Sequence, residues 1–414
     1  MIAAVGLDSF DTSFAGCTTH LASLITHKAV EEGLSLVDYP WLIRLNPAVP
    51  WKTRGNGAVA LLFSIESRRD LEKLSELLHR AAKLYSANPS SKEAYVLLLL
   101  EEATTLRDYF TVRPRCLERL YLRAVHEALP LRLAQECIEE AGNRAIAAYG
   151  VDSRGILGAL AALGAVLDDF TFELITYRKI DRWTFERRID ELSVIEYDLR
   201  TRPLTFMNYD YLEKRVLIHP HGYDPVLYGV RGEEPGILLK ALDIIDAGEE
   251  YSHWILFRTN QATNAHLRRK RVSETRPYDN PVLVGYVSSV QRIPGGHVIT
   301  ELCDDTGCID VAFYRETGVL KRIALRLPRG SQIEVGGQVK PHRGGITLNA
   351  EYLRVYEPGL TADKGCPTEE LRYCGYYTPP LSSFHHLMLP PGRHPVGKSV
   401  TPPSTPIMSD DVYL

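Results

Sequence analysis

Residues Gly6 to Thr19 read Gly-Leu-Asp-Ser-Phe-Asp-Thr-Ser-Phe-Ala-Gly-Cys-Thr-Thr. Two acids, Asp8 and Asp11, stand three apart among hydroxyls and glycines. Mg²⁺ is commonly held by one or two carboxylates plus the oxygens of a substrate phosphate, so these two acids are candidate metal ligands and catalytic residues. Gly6, Thr12, Gly16 and Thr19 offer backbone N–H groups and hydroxyls to the same phosphates, and Thr18 and Thr19 are also candidate helix caps. A second stretch, Trp51-Lys52-Thr53-Arg54-Gly55-Asn56-Gly57, places two cations before two glycines. Lys52 and Arg54 would neutralise phosphate charge, while Gly55, Asn56 and Gly57 permit close backbone approach. Either stretch alone is also an ordinary polar turn. Together they favour a nucleotide-phosphate site, although neither has the P-loop spacing.

Each stretch needs elements to hold it. Met1 to Val5 is a short apolar run that predicts a buried strand. From His20 to Glu32 apolar residues recur at helical spacing, so the first stretch is a strand-to-helix loop. The second stretch leads into the strand-like Ala58 to Phe63. Further on, helices are predicted over Ser67–Tyr85, Glu93–Tyr109, Leu117–Ala128, Leu131–Tyr149 and the glycine-rich Asp152–Asp168. Phe170–Tyr177 reads as a strand. The resulting fold class is multidomain α/β, with residues 1–197 as the nucleotide-binding unit.

Residues 198–270 form a smaller α+β unit. It contains Tyr209, Asp210, the strand-like Val216-Leu217-Ile218-His219-Pro220-His221, then Asp224, Arg231 and Glu233 among glycines. These acids and Arg231 suit either a polar site or turn-stabilising ion pairs. The polar run Thr259 to His266 suits base or phosphate contact, or a turn. Arg268, Arg269, Lys270 and Arg271 are four successive cations in a chain whose net charge is −4. Such a run is a local candidate for RNA backbone contact. Residues 271–356 carry five strand signals with a helix between the third and fourth, the order of an OB barrel. Lys340 and Arg343 add charge to its candidate RNA face. Residues 357–414 are proline-rich, and the last fifteen are expected to be disordered.

Composition excludes several classes. Apolar content of 45% and charged content of 24% are those of a globular protein. No signal peptide is recognisable, and the longest apolar run, Ile156 to Leu167, is too short to span a bilayer. The expected location is the cytoplasm, with no membrane partner. Seven scattered cysteines argue against a disulfide scaffold. Few methionines and many tyrosines and prolines point weakly to a thermophile.

The combination of Gly6 to Thr19, Arg44-Leu45-Asn46-Pro47, Val49 to Val59, Gly158 to Ala162, Thr205 to Asp210, Asp224 to Gly232 and Phe257 to Gln261 resembles the archaeal tRNA(Ile2) 2-agmatinylcytidine synthetase family. The resemblance covers residues 1–390. It implies a kinase-like domain, a ferredoxin-like domain, an OB domain and a zinc ribbon. It also implies ATP, Mg²⁺ and agmatine as reactants, and the tRNA with a CAU anticodon as partner. Cytidine 34 would be phosphorylated at C2 and the phosphate displaced by agmatine. The family's autophosphorylated threonine falls on Thr18 and its metal-binding acids on Asp8 and Asp11. Agmatine would lie between the first two units, near Tyr209, Asp210, Asp224, Arg231 and Glu233. The family loop carries an extra acid where this chain has Ser9. Only Cys366 and Cys374 remain of the ribbon's cysteine pairs, so zinc is not expected. The competing reading is a non-catalytic RNA-binding protein with a degenerate ATP loop.

Overall fold

The computed structural model describes residues 1–11, 16–52, 55–85, 92–211, 214–342 and 344–357, together with 376–377 and 407–409. Among them the first two thirds of the chain supply ten strands of one eleven-stranded sheet, and Ile407–Ser409 adds the eleventh. Its first strand, β1 (Ile2–Asp8), is buried at every residue. Both its faces are covered, so it reads as a continuous apolar run. Ala3, Val5 and Leu7 enter one core with helices α1 (Thr18–Glu31) and α2 (Arg68–Tyr85). Ile2 and Ala4 enter the other with α3 (Leu106–Val112), α4 (Arg115–Ala124), α5 (Arg132–Ala141) and α6 (Gly155–Leu163). Period-2 alternation thus divides one strand between two cores.

Around β1 lie β2 (Trp41–Arg44), β3 (Gly57–Ser64), β4 (Ala94–Leu100) and β5 (Ala145–Tyr149). The second half of the sheet contains β6 (Thr171–Arg178), β7 (Val226–Gly232) and β8 (Tyr251–Thr259). The strand order is β5-β4-β1-β3-β2-β8-β6-β7, with the short Thr205–Phe206 at the far edge. The halves join where β2 and β8 run parallel, Arg258 opposite Trp41 and Thr259 opposite Leu42. Polar residues reinforce this seam. Asn260 accepts the Arg44 backbone N–H at 2.7 Å and donates back to the Arg44 carbonyl at 2.9 Å. Arg258 reaches Asp38 at 3.0 Å. The amide of Asn260, one of the sequence candidates for base contact, is used in this joint.

Five strands then close a barrel: β9 (Pro281–Ile293), β10 (His297–Asp304), β11 (Gly307–Phe313), β12 (Gln332–His342) and β13 (Gly345–Glu357). β9 pairs with both β10 and β12, and β11 pairs parallel with β13. The short helix Val319–Ala324 separates the third and fourth strands. This is the OB order expected from the sequence. Asn46 ties the barrel to the sheet: its amide donates to the Tyr278 carbonyl, and Asn280 donates to its side-chain oxygen.

Several expectations are corrected. Glu93–Tyr109 is a strand, β4, followed by the helix Leu106–Val112, not one helix. An unbroken apolar run such as Val96 to Leu100 suits a buried strand as well as a helix, so periodicity cannot decide. Leu131–Tyr149 is the helix Arg132–Ala141 and then β5, because the chain turns at Gly142 with φ +55. Cysteine pairing is also corrected: Cys116–Cys137 and Cys303–Cys308 are disulfides. A spacing count misses them because packing and hairpin register create the pairs; Cys303 sits directly opposite Cys308. Intracellular disulfides are a known feature of hyperthermophilic proteins. Ile407–Ser409, within the tail expected to be disordered, pairs with His253–Ile255 of β8. No described helix is long and apolar enough to cross a membrane.

Close contact between β1 and α6 depends on glycine. A Cβ on Gly6 would lie 2.2 Å from the Ala159 carbonyl oxygen. Backbone cannot swing aside as a side chain can. Gly6→Ala is therefore expected to destabilise the fold by about 1–3 kcal/mol, the usual cost of overpacking. Thermal unfolding checks this; an unchanged midpoint would show that α6 moves freely off the sheet.

Candidate functional site

Asp8 ends β1, nearly buried, where α6 approaches most closely. A Cβ on Gly158 would fall 1.9 Å from Asp8 Oδ2, so glycine there makes room for the carboxylate. The other oxygen accepts the Ser9 backbone N–H at 2.6 Å. Ser9 adopts φ +65, and Phe10 turns back into the core, fully buried with Leu21 and Leu74. Ser9 and Phe10 therefore anchor the loop and leave its two acids in place.

Asp11 and Thr18 meet across this loop. The Thr18 hydroxyl accepts the Phe10 N–H at 3.1 Å and donates to Asp11 Oδ2 at 3.2 Å. Thr18 opens α1, and the residue before it, Cys17, makes no side-chain cap. A helix start whose N-cap side chain leaves its first N–H groups uncapped suits an anion there. Behind them, Tyr85 accepts the Cys17 N–H at 3.2 Å and its hydroxyl lies 2.5 Å from His20 Nδ1. Burial and neighbouring His253 hold His20 well below its ordinary range, so the ring is neutral and Tyr85 donates to it. Gly16, at φ +83, packs on the Tyr85 ring.

The loop separates two chambers. The smaller, ≈ 70 Å³, is lined by Asp8, Ser9, Lys52 and Asn56, joined by Lys92 and Arg154. The Arg154 guanidinium stacks 4.0 Å from the Trp51 ring centre. Lys52, Lys92 and Arg154 outnumber the two carboxylates on its lining, Asp8 and Glu127, which suits the phosphates of a nucleotide with a bridging cation. The larger chamber, ≈ 250 Å³, contains Asp11, Thr18, Thr19, Gly55, Gly57, Asp224 and Arg231. Arg44, Glu173 and His219 complete its polar wall. Glu173 is buried between Arg44 at 3.3 Å and Arg231 at 2.9 Å. Burial alone would raise its pKa, but the two guanidiniums outweigh burial and hold it below the usual range. Gly55 and Gly57 lie against Arg44; a Cβ on Gly55 would sit 2.6 Å from its Nη1.

The other sequence candidates are distributed as follows. Gly6 lies inside β1 against α6, away from both chambers. Tyr209, Asp210 and Glu233 are buried and line neither chamber; Tyr209 donates to Glu191, and Asp210 is 3.5 Å from Arg215. Of the basic run, Arg269 pairs with Glu334 at 2.8 Å, Lys270 with Asp279 at 2.6 Å and Arg271 with Asp305 at 3.3 Å. Arg268 lies exposed in a short strand beside β9. Lys340 donates to the Ala48 carbonyl, across to the first unit. Thr12, Arg54, Arg343, Cys366 and Cys374 lie outside the described residues. Sequence reasoning missed Lys92, Arg154, Arg44, Glu173 and His219 as site residues. The only signals were Arg44 inside its Arg-Leu-Asn-Pro motif and His219 at the end of an apolar run.

Among the described residues no group of three or more His, Cys, Asp or Glu could hold a metal. Asp8 and Asp11 still fit Mg²⁺, which needs only one or two carboxylates when phosphates supply the rest. Their proximity leaves a mark: burial, then Asp11, raises the Asp8 pKa well above normal. A buried acid beside a second carboxylate is a favourable place for a cation.

Comparisons with known proteins now define the class. Residues 282–356 match an OB-fold nucleic acid binding domain, so the two-chambered sheet carries a nucleic-acid-binding barrel. Residues 4–149 match the TiaS TCKD domain and residues 153–266 the TiaS FLD domain. The tRNA(Ile2) 2-agmatinylcytidine synthetase TiaS of Hyperthermus butylicus is 56% identical over 424 residues, covering 100% of this chain and 98% of the relative. The crystal structure of a TiaS–tRNA(Ile2)–ATP complex superposes with a TM-score of 0.75 at 31% identity, covering 87% of this chain and 82% of that one. A TiaS–tRNA(Ile2)–AMPCPP–agmatine complex gives a TM-score of 0.75 at 30% identity, with 87% and 84% covered. The chain belongs to the tRNA(Ile2) 2-agmatinylcytidine synthetase (TiaS) family.

The raised pKa of Asp8 makes a stability prediction. In the unfolded chain Asp8 ionises near its ordinary value of about 3.9, while in the folded protein it ionises only at higher pH. The folded state therefore binds more protons over this window, and stability falls as pH rises through it. Asp8→Asn keeps the shape without the charge. It is expected to melt at higher temperature than the native protein at pH 7, with the gap closing as pH approaches about 3. ATP turnover should be lost. Calorimetry across pH checks the first, and equal melting at pH 7 would refute it.

Proposed function

We propose that this protein is an ATP-dependent tRNA(Ile2) 2-agmatinylcytidine synthetase that converts cytidine 34 of the CAU anticodon to agmatidine. The observation that carries the reading is that Asp8 lines the smaller chamber with Lys52, Lys92 and Arg154, while Asp11 and Thr18 line the larger one. Full-length likeness to a named synthetase supports the same activity. The part matching the TiaS TCKD domain, residues 4–149, is read as kinase-like, and the part matching the FLD domain, residues 153–266, as ferredoxin-like, in place of a division at residue 197; the barrel is read as the tRNA grip. The cytoplasm, where tRNA and ATP meet, is the expected place of action.

ATP phosphates occupy the smaller chamber, held by Lys52, Lys92 and Arg154, with Asn56 beside them. Mg²⁺ on Asp8 and Asp11 would neutralise charge developing on the transferred phosphoryl group. Asp11 accepts the Thr18 hydroxyl proton and so can act as base when that oxygen receives phosphate. The carbonyl oxygen at C2 of cytidine is a poor leaving group. Phosphorylation makes it a good one, and an amine can then replace it. The target base leaves the anticodon stack to enter the larger chamber, at a cost of about a few kcal/mol. Agmatine approaches in the same chamber. Asp224, buried there, offers a carboxylate to a cationic end; it accepts the Val226 N–H at 2.8 Å, which fixes its direction. The paired Arg44 and Arg231 leave that wall cationic by one charge, suited to a phosphate on the base.

Incubation with ATP, agmatine and tRNA bearing the CAU anticodon, followed by nucleoside mass analysis, is expected to reveal agmatidine only when all three are present. Asp11→Asn should abolish the product while tRNA binding persists. ATP turnover without any change in nucleoside mass would overturn the reading.

A further inference from the structure

His219 has no role in the account above, yet it lines the larger chamber with Asp11, Thr18 and Asp224. Its Nδ1 lies 3.2 Å from the Pro220 carbonyl oxygen. A carbonyl only accepts, so Nδ1 carries the hydrogen. In the neutral ring Nε2 then holds a lone pair. Arg187 makes this arrangement rigid. Its guanidinium donates to the carbonyls of Val226 at 2.9 Å, Pro220 at 3.2 Å, Gly222 at 2.7 Å and Asp224 at 2.7 Å. One side chain thus clamps the segment that presents both His219 and Asp224. The Gly229 N–H, donating to the Ile218 carbonyl at 2.7 Å, fastens its other side to β7.

We propose that His219 is the general base that takes a proton from the primary ammonium of agmatine before it attacks C2. The inference rests on the agmatidine reading. Agmatine enters as a cation and an ammonium has no lone pair, so a proton must leave first. That proton goes to Nε2 of His219. The freed nitrogen pair forms the bond to C2. The C2–O bond breaks, and its electron pair leaves with the phosphate. The second nitrogen-bound proton passes to that phosphate, which departs as hydrogen phosphate, and His219 returns its proton to water.

The surroundings suit the task. Burial holds His219 below its ordinary range; the Pro220 carbonyl opposes this, and the nearby His221 and Arg187 add lesser lowering effects. The ring is accordingly neutral near pH 7. Across the chamber the charged groups are Asp11 from the loop, Arg44 from β2, Glu173 from β6, Arg231 from β7 and Asp224 from the clamped segment. Asp224 stabilises the cation that His219 then deprotonates.

The test is the pH dependence of agmatidine formation on the full-length protein with saturating ATP and tRNA. The native enzyme should show an acid limb below about pH 6.5 and level off above it. His219→Gln should be slower by about 100-fold at pH 7, a usual share for a general base. Its rate should climb about tenfold per pH unit toward about pH 10, where a primary ammonium loses its proton to solvent. An equal loss at every pH, or no loss, overturns the proposal. A measurement on the native enzyme removes dependence on the variant's folding. With an agmatine analogue whose ammonium is acidified by fluorine, the acid limb should stay where it is, because the protein sets it. A limb that shifts down with the analogue overturns the proposal. If the native enzyme makes no agmatidine at any pH, the functional reading itself has failed.

Discussion

A carboxylate with only 3% of its surface exposed cannot stay ionised unless positive charge meets it, and Glu173 meets two. Arg44 comes from β2 in the first half of the sheet. Arg231 comes from β7 in the second. Removing one partner of such a buried group typically costs about 3–5 kcal/mol, because the remaining charge is stranded. The two halves are therefore held in one relative position at the place where the larger chamber opens. The loop glycines lie on Arg44, and Asp224 and His219 sit near Arg231. Geometry on either side of the chamber is referred to this one acid.

The same economy of space governs the smaller chamber. Gly6 and Gly158 let α6 approach β1 until only a carboxylate fits between them. Asp8 is consequently desolvated and close to a second acid, an arrangement unfavourable for the isolated protein. Strain of this electrostatic kind is common at functional sites. Here it makes the loop an attractive place for a cation, and a cation is what a nucleotide's phosphates bring.

Polar side chains that look like ligand contacts in the sequence do much of the joining. Asn46, Asn260 and Asn280 each carry amides that satisfy backbone or partner amides between units. Asn56 donates to the Asn46 carbonyl while lining the smaller chamber, so it serves both purposes. The basic run after the second unit behaves similarly. Three of its four cations meet carboxylates on or beside the barrel, and Arg268 lies exposed in its short strand. A cation that already has a partner has less to offer an RNA phosphate, because exchanging one anion for another gains little.

The amino-acid sequence by itself determined what depends on local order. The phosphate loop was legible because Asp8, Asp11 and Thr18 lie within eleven residues and span one strand-to-helix turn. The barrel was legible because five alternating segments separated by glycine turns have few other solutions. What only the tertiary structure decided depends on residues far apart in the chain. Helix could not be told from strand at Val96 to Leu100, where every side chain is apolar and burial on both faces erases the period. The disulfides were set by helix packing and hairpin register, not by cysteine count. Glu173 and Arg44 stand 129 positions apart, and His219 gains its tautomer from a turn and its rigidity from Arg187. No local pattern marks such residues, because their chemistry is created by the neighbours that folding supplies.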